Sequence, residues 1–168
     1  MRIASPMLLT CLWLGCATSR PAPAPPAPDS PDAILARVAA VHGGAGPWVV
    51  AGYRMGQYAL HRLGLPEGSF DLEVVHHSPL KVQYTCIADG AAVATGASLG
   101  KLNLALASEP DDSRLATTYR RRSTGASVTL RPTRRFVERY KDLPRERLAE
   151  AGREVLALPD AEVLEEVP

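Results

Sequence analysis

The sequence predicts a single α+β domain, a mixed or antiparallel sheet packed with helices, behind an export signal and a proline-rich spacer. Three observations predict it. Strand patterns of alternating residues lie among helical patterns, an order that indicates α+β. Gly, Pro and capping residues mark the segment boundaries from residue 30 onward. The composition is globular, with 46% apolar and 22% charged residues in a chain of 168, a length that permits one domain. Aromatics are only 5%, so the core is built from Leu, Val and Ala. The 19 Lys and Arg stand against 18 Asp and Glu, which excludes a dedicated nucleic-acid binder, since phosphate contacts need a basic excess. Three cysteines exclude a disulfide-dense scaffold.

Residues 1–15 read as a signal peptide. Met1-Arg2 gives a positive start, and the apolar run from Met7 to Gly15 is too short to span a bilayer, which needs about 20 residues. Leu12-Trp13-Leu14-Gly15-Cys16 resembles a bacterial lipobox, in which Gly precedes a Cys that is lipidated and becomes the new N-terminus. Trp13 stands where an aliphatic residue is usual. The alternative is ordinary secretion with cleavage nearby. No Asp follows Cys16, which by resemblance to Gram-negative lipoproteins favours the outer membrane, facing the periplasm. Residues 16–31 are then a lipidated Cys and a Pro/Ala-rich linker, RPAPAPPAPDSP from Arg20. Such a run lacks the donors of a helix or ladder and extends by about 3.1 Å per residue. It holds the domain, residues 32–168, off the membrane.

Within that domain, Ser30-Pro31-Asp32 is a helix start, and Ile34, Leu35, Val38 and Val41 follow at helical spacing until Gly43-Gly44. A second helix is predicted from Pro47 to Leu63, ended by Gly64. Its Gly52 and Gly56 lie four apart and invite a close neighbour, either a second copy of the chain or another element of the same one. A strand is predicted from Phe70 to Val75, broken by Pro79, and a short helix over Ala88–Ala94, ended by Gly96. Leu102–Ala107, Leu115–Arg121 and Ala126–Arg131 read as strands, the last two joined by a Ser123-Thr124-Gly125 turn. Thr133–Lys141 and Pro144–Leu156 read as polar helices. The arginines at 120–122, 131, 134 and 135 read as a solvated face.

Two segments carry a family resemblance. One is His42-Gly43-Gly44-Ala45-Gly46-Pro47, leading into WVVAGYRMGQYALHRLG; the other runs from Cys86-Ile87-Ala88-Asp89-Gly90 through Thr95-Gly96 to Gly100-Lys101-Leu102-Asn103-Leu104. Together they resemble the core domain of FmdE, a family of formylmethanofuran dehydrogenase components. That family shows His-Gly-His-x-Cys-Pro-Gly before a helix, then Cys-x-x-Asp, Thr-Gly and Gly-Lys-x-Asn-Leu. The resemblance implies a dimer, and an association with a molybdenum or tungsten dehydrogenase. It also implies a metal site made by the first-motif His and Cys residues and the later Cys. Here His42 and Cys86 stand at matching positions, while Gly44 and Gly46 replace a His and a Cys.

A zinc-type site needs three or four soft ligands, and glycine supplies none. His76 or His77 is the candidate to complete a set with His42 and Cys86. The other reading makes His42 a helix-end cap, His76 or His77 a solvent-facing residue and Cys86 a buried small hydrophobe. Asp89 is a candidate to hold a neighbouring His or to cap a turn. The motif residues Thr95, Gly96, Gly100, Lys101 and Asn103 form a second candidate ligand site, with Lys101 as the anion contact. The expected function is an exported, membrane-anchored binding or accessory module with a degraded metal site and no cofactor, zinc being bound weakly if at all. The alternatives are a metal- or thiol-dependent enzyme using Cys86 and His42, and a structural envelope lipoprotein.

Overall fold

A computed structural model describes residues 30–167. The signal peptide, Cys16 and nearly all of the linker lie outside the described residues.

Helix α1 (Pro31–His42) begins where the Ser30 hydroxyl accepts the Ala33 N–H at 3.2 Å, with Pro31 in the first turn. It stops at Gly43, and α2 (Pro47–Leu63) follows after a short loop, with the boundaries the sequence predicts. The chain then forms β1 (Leu72–Ser78), α3 (Val82–Thr95), β2 (Leu104–Ser108), β3 (Ala116–Arg121) and β4 (Ser127–Pro132). Helices α4 (Arg134–Tyr140), α5 (Leu148–Ala157) and α6 (Asp160–Val163) and strand β5 (Leu164–Val167) complete it.

The five strands form one mixed sheet in the order β2-β1-β3-β4-β5. The β1–β2 pair is parallel, from Val74 beside Leu104 to Ser78 beside Ser108, and α3 is the crossover such a pair requires. The other pairs are antiparallel. Alternation decides which face is covered. Leu72, Val74, His76, Thr117, Tyr119, Val128 and Leu130 are buried under the helices, while Glu73, Arg120 and Arg131 point the other way.

Helices α2 and α3 cross at backbone contact. A Cβ on Gly52 would lie 2.1 Å from the Ile87 carbonyl oxygen, and one on Gly90 would lie 1.9 Å from that of Val49. Gly56 faces Ala94 in the same seam. The Gly52/Gly56 face therefore does meet another element, and that element is α3 of the same chain rather than a second copy.

Several boundaries differ from expectation. Strand β1 runs from Leu72 to Ser78 rather than from Phe70 to Val75, and the predicted Pro144–Leu156 helix is a 3₁₀ turn, Arg145–Arg147, followed by α5 from Leu148. Helix α3 starts six residues before Ala88, at Val82, because burial of Tyr84 and Ile87 overrides the weak propensity of Val82 and Thr85. Strand β2 starts at Leu104 rather than Leu102, because Leu102 closes a 3₁₀ turn with φ 53°. The α6–β5 segment, which no local pattern predicts, pairs with β4 through Thr129 to Pro132. Among the described residues no single helix is long and apolar enough to cross a membrane.

Candidate functional site

An open groove of about 610 Å³ lies where α1 ends, α2 begins and the first half of α3 passes. The loop from Gly43 to Gly46 forms its floor. Helix α5 presses on this loop so closely that a Cβ on Gly152 would stand 1.7 Å from the Ala45 carbonyl oxygen. The far wall is the segment from Tyr140 to Ala149. Two hydrogen bonds pin that wall: the Trp48 indole N–H donates to the Tyr140 carbonyl at 3.0 Å, and the Asp142 N–H to the Gln83 side-chain oxygen at 2.9 Å. Edge-on packing of Trp48 against Tyr84 and Phe136, with centroids 5.2 and 5.1 Å apart, fixes the indole.

His42 and Cys86 both line this groove. The last residue of α1, His42, faces Asp89 on α3, and its Nδ1 lies 2.8 Å from the Asp89 carboxylate. A carboxylate only accepts, so Nδ1 carries the proton in the neutral ring and Nε2 is left as the basic nitrogen. Asp89 therefore holds the histidine, the first of the two roles the sequence offered for it. Cys86 is half-buried in the second turn of α3, and its thiol donates to the Val82 carbonyl at 2.8 Å. Burial, with the Asp89 charge adding to it, pushes the thiol pKa up to about 11. The thiolate, the form that attacks or ligates, is then about one part in ten thousand at pH 7.

His76 and His77 are elsewhere. His76 is wholly buried in β1; its Nε2 donates to the Tyr84 carbonyl at 3.1 Å and its Nδ1 accepts from the Thr117 hydroxyl at 2.8 Å. Both ring nitrogens are occupied. His77 points to the other face, toward Glu109 at 3.2 Å. Neither lines the groove, so the donors there are the His42 ring nitrogen and the Cys86 sulfur, with Asp89 engaged by His42. Gly44 and Gly46 add none. Among the described residues no three His, Cys, Asp or Glu side chains are grouped to hold one ion. This donor set does not fit the closed four-ligand geometry of a structural zinc site.

The second motif is built at the opposite end of α3. Thr95 closes the helix by donating to the Ala91 carbonyl at 2.7 Å and accepting from the Ala97 N–H at 3.2 Å. Gly96 has φ +67° and a Cβ there would stand 2.9 Å from the Gly68 Cα, so only glycine fits. Lys101 Nζ donates to the Gly96 carbonyl at 2.8 Å and lies 5.2 Å from the Phe70 ring centroid. Asn103, 2% exposed, accepts from the Ser98 N–H at 2.9 Å and donates to the Leu72 carbonyl at 3.1 Å. Gly100 sits in the exposed 3₁₀ turn with open space around it. These polar groups are committed to the chain's own backbone. The arginine face is likewise paired: Arg120 with Glu73, Arg121 with Asp71, Arg131 with Glu165 and Arg134 with Glu138, at 2.6–2.9 Å.

Sequence reasoning missed the far wall. Leu143 and Leu148 make it apolar, and Arg145 stands at its rim with no ion pair among the described residues. No motif marks this segment; it reaches the groove through the Trp48–Tyr140 and Asp142–Gln83 contacts, both distant in sequence.

A family model described as "FmdE, Molybdenum formylmethanofuran dehydrogenase operon" matches residues 41–165. No curated protein matches the chain.

Proposed function

The chain belongs to the FmdE family, and from that premise we propose that it is an exported, lipid-anchored domain acting as a non-catalytic binding or accessory module, its metal site degraded. One observation carries this reading: the family-matching pair His42 and Cys86 lines a groove with a thiol whose pKa is pushed up to about 11 and a loop that offers glycines where ligands would be needed. A protonated thiol and one imidazole can contact a ligand without reacting with it. The groove supports the binding half of the reading: its apolar walls suit a small molecule or a peptide side chain, and Arg145 and His42 add polar contacts at its rim.

The test is one purification. The full-length protein, extracted from membranes without a metal-binding tag, is measured by intact mass and by elemental analysis. The expected result is a cleaved, acylated N-terminus at Cys16 and much less than one metal per chain. A mature protein that starts elsewhere without lipid mass overturns the anchor. One tightly held metal per chain, lost in Cys86→Ala, overturns the accessory reading in favour of a metal-dependent enzyme. The His42–Asp89 bond favours that second reading, since a carboxylate on one ring nitrogen is also how a ligating or basic histidine is oriented.

A further inference from the structure

Three loops meet at the end of the molecule where α3 gives way to β2. The Gly68 N–H donates to the Thr95 carbonyl at 2.8 Å, which sets the loop before β1 against that helix end. The Arg122 side chain donates to the Leu102 carbonyl at 2.6 Å, which sets the β3–β4 hairpin against the 3₁₀ turn. Phe70, Leu99 and Leu102 stand out from these loops at 68%, 72% and 83% exposure, and none joins the core. Leu102 is the most exposed large apolar side chain among the described residues, and it holds φ 53°, a region that L side chains rarely adopt. Glycine or asparagine would sit there with less strain and expose no apolar surface. A leucine kept at such a position marks a contact that the domain alone does not make.

Cations rim this apolar tip. Lys101 Nζ lies 5.2 Å from the Phe70 ring centroid, and Lys101 with Arg120, Arg121 and Arg122 stands against Asp71 and Glu73. The next acid, Glu67, is taken up by Arg37 at 3.6 Å. The chain also enters the domain at this end. His42, the last residue of α1, meets Asp89 in the middle of α3. Ile34, about two turns earlier, lines a small cavity with Gln57, which donates to the Ala94 carbonyl at 3.1 Å. Helix α1 therefore runs against α3, and its first residue faces the end from which the tip projects. The spacer and Cys16 precede that residue.

We propose that this tip docks on the phospholipid surface of the membrane that holds the anchor, with Phe70, Leu99 and Leu102 entering the boundary between headgroups and acyl chains and Lys101 and Arg122 meeting lipid phosphates. The choice of membrane rests on the lipid-anchored reading above. Apolar side chains on loops, ringed by a positive excess, match an anionic lipid interface in both of its components. Three such side chains attract weakly by themselves. The anchor supplies the rest, because a tether makes docking an intramolecular event at high effective concentration. Docking at this end orients the domain. The groove, at the other end of α3, then faces away from the bilayer and stays open to ligands in water.

The experiment uses the full chain, extracted from membranes and reconstituted in vesicles of phosphatidylethanolamine and phosphatidylglycerol with brominated acyl chains. Phe70→Trp is the probe, and Trp48, at 4% exposure, supplies an unquenched background. Bromine should quench Phe70→Trp severalfold more than Leu80→Trp, which replaces a comparably exposed leucine beyond the opposite end of β1. Adding Leu102→Asp should remove most of the quenching and leave the circular-dichroism spectrum unchanged. The comparison of the two probes stands by itself if Leu102→Asp fails to fold. Equal quenching at both probes, or quenching that survives Leu102→Asp, overturns the proposal. Shielding of Phe70→Trp from iodide without bromine quenching gives the face to a protein and overturns it as well. Intact mass of the same sample reads the anchor independently. A lipid mass with an unquenched probe overturns the docking alone, and quenching without a lipid mass overturns the anchor alone.

Discussion

The two ends of α3 carry the two halves of the second family segment and use them in opposite ways. At the C-terminal end, Thr95, Gly96, Lys101 and Asn103 direct their polar groups or their special backbone into the connection to β2. At the N-terminal end, Cys86 and Asp89 face a groove, and the loop opposite offers glycines. The first end holds the parallel β1–β2 pair in register. At the second end the groove-facing side chains make no contact on which the sheet depends, so they can change without loss of the fold. Positions that bond buried backbone are constrained by desolvation, whereas positions that face open space are constrained only by whatever binds there. Motif identity at the first end therefore reports fold, and at the second reports chemistry.

The comparison is most easily broken at Asn103. Asn103→Leu leaves the Ser98 N–H and the Leu72 carbonyl without their side-chain partner inside the fold. Each orphaned group costs about 1–3 kcal/mol, so a loss of about 3 kcal/mol and a melting temperature lower by about 10 °C are expected. Thermal unfolding followed by circular dichroism measures it. A change under about 1 kcal/mol would show that Asn103 is not a clamp.

The groove end of α3 is tied down from below by His76, which bonds the Tyr84 carbonyl. Burial pushes the His76 pKa down from 6.5 to about 4. Above pH 6.5 neither the folded nor the unfolded chain carries this proton. Between pH 6.5 and about 4 the unfolded chain binds it and the folded chain does not, so stability falls as pH falls. The full loss is about 3 kcal/mol, reached near pH 4. Urea midpoints from pH 7.5 to 4 should decline more steeply for the native chain than for His76→Gln, whose amide can keep a bond to Tyr84. Equal slopes would mean that His76 titrates as an ordinary histidine.

Some of this was legible in the sequence. The bounds of α2 were, because Pro47 and Gly64 are local signals that need no tertiary context. That His42 lies near the Cys86–Asp89 segment was an expectation only of the family resemblance, not of any local pattern. The start of α3 was not legible, because Tyr84 and Ile87 stabilise it through contacts distant in sequence. The α6–β5 segment is short and acidic, and only its pairing with β4 makes it a strand. The groove's far wall had no local signal either, since Tyr140 to Ala149 meets Trp48 across some ninety residues.

A smaller effect separates the thiol from a reactive one. With its pKa near 11, Cys86 should be alkylated by iodoacetamide at pH 7.5 roughly two orders of magnitude more slowly than an unhindered cysteine. Mass spectrometry over time follows the reaction. Asp89→Asn, which removes the nearby negative charge, should speed it modestly. Fast alkylation in the native chain would instead mark a nucleophile and favour the enzyme reading.

The smallest effect on stability is expected where a ligand would be restored. Gly44 has open space for a Cβ and no positive φ, and a Cβ on Gly46 would meet only the Leu148 Cβ, at an ordinary 3.7 Å. Gly44→His with Gly46→Cys should therefore fold within about 0.5 kcal/mol of the native chain. The same pair adds an imidazole and a thiol to the groove that already holds His42 and Cys86. Two protein ligands leave zinc to water and stray anions, whereas four close the tetrahedron. Zinc would also draw the Cys86 proton off, since metal binding releases protons from its ligands. Zinc titration against a competing chelator should show affinity higher by orders of magnitude in the double variant than in the native chain. A chelator should then lower the melting temperature of the variant and leave the native protein unchanged. If the variant folds but binds zinc no better, the loop does not aim those side chains at Cys86, and the glycines at 44 and 46 are not what limits metal binding in the groove.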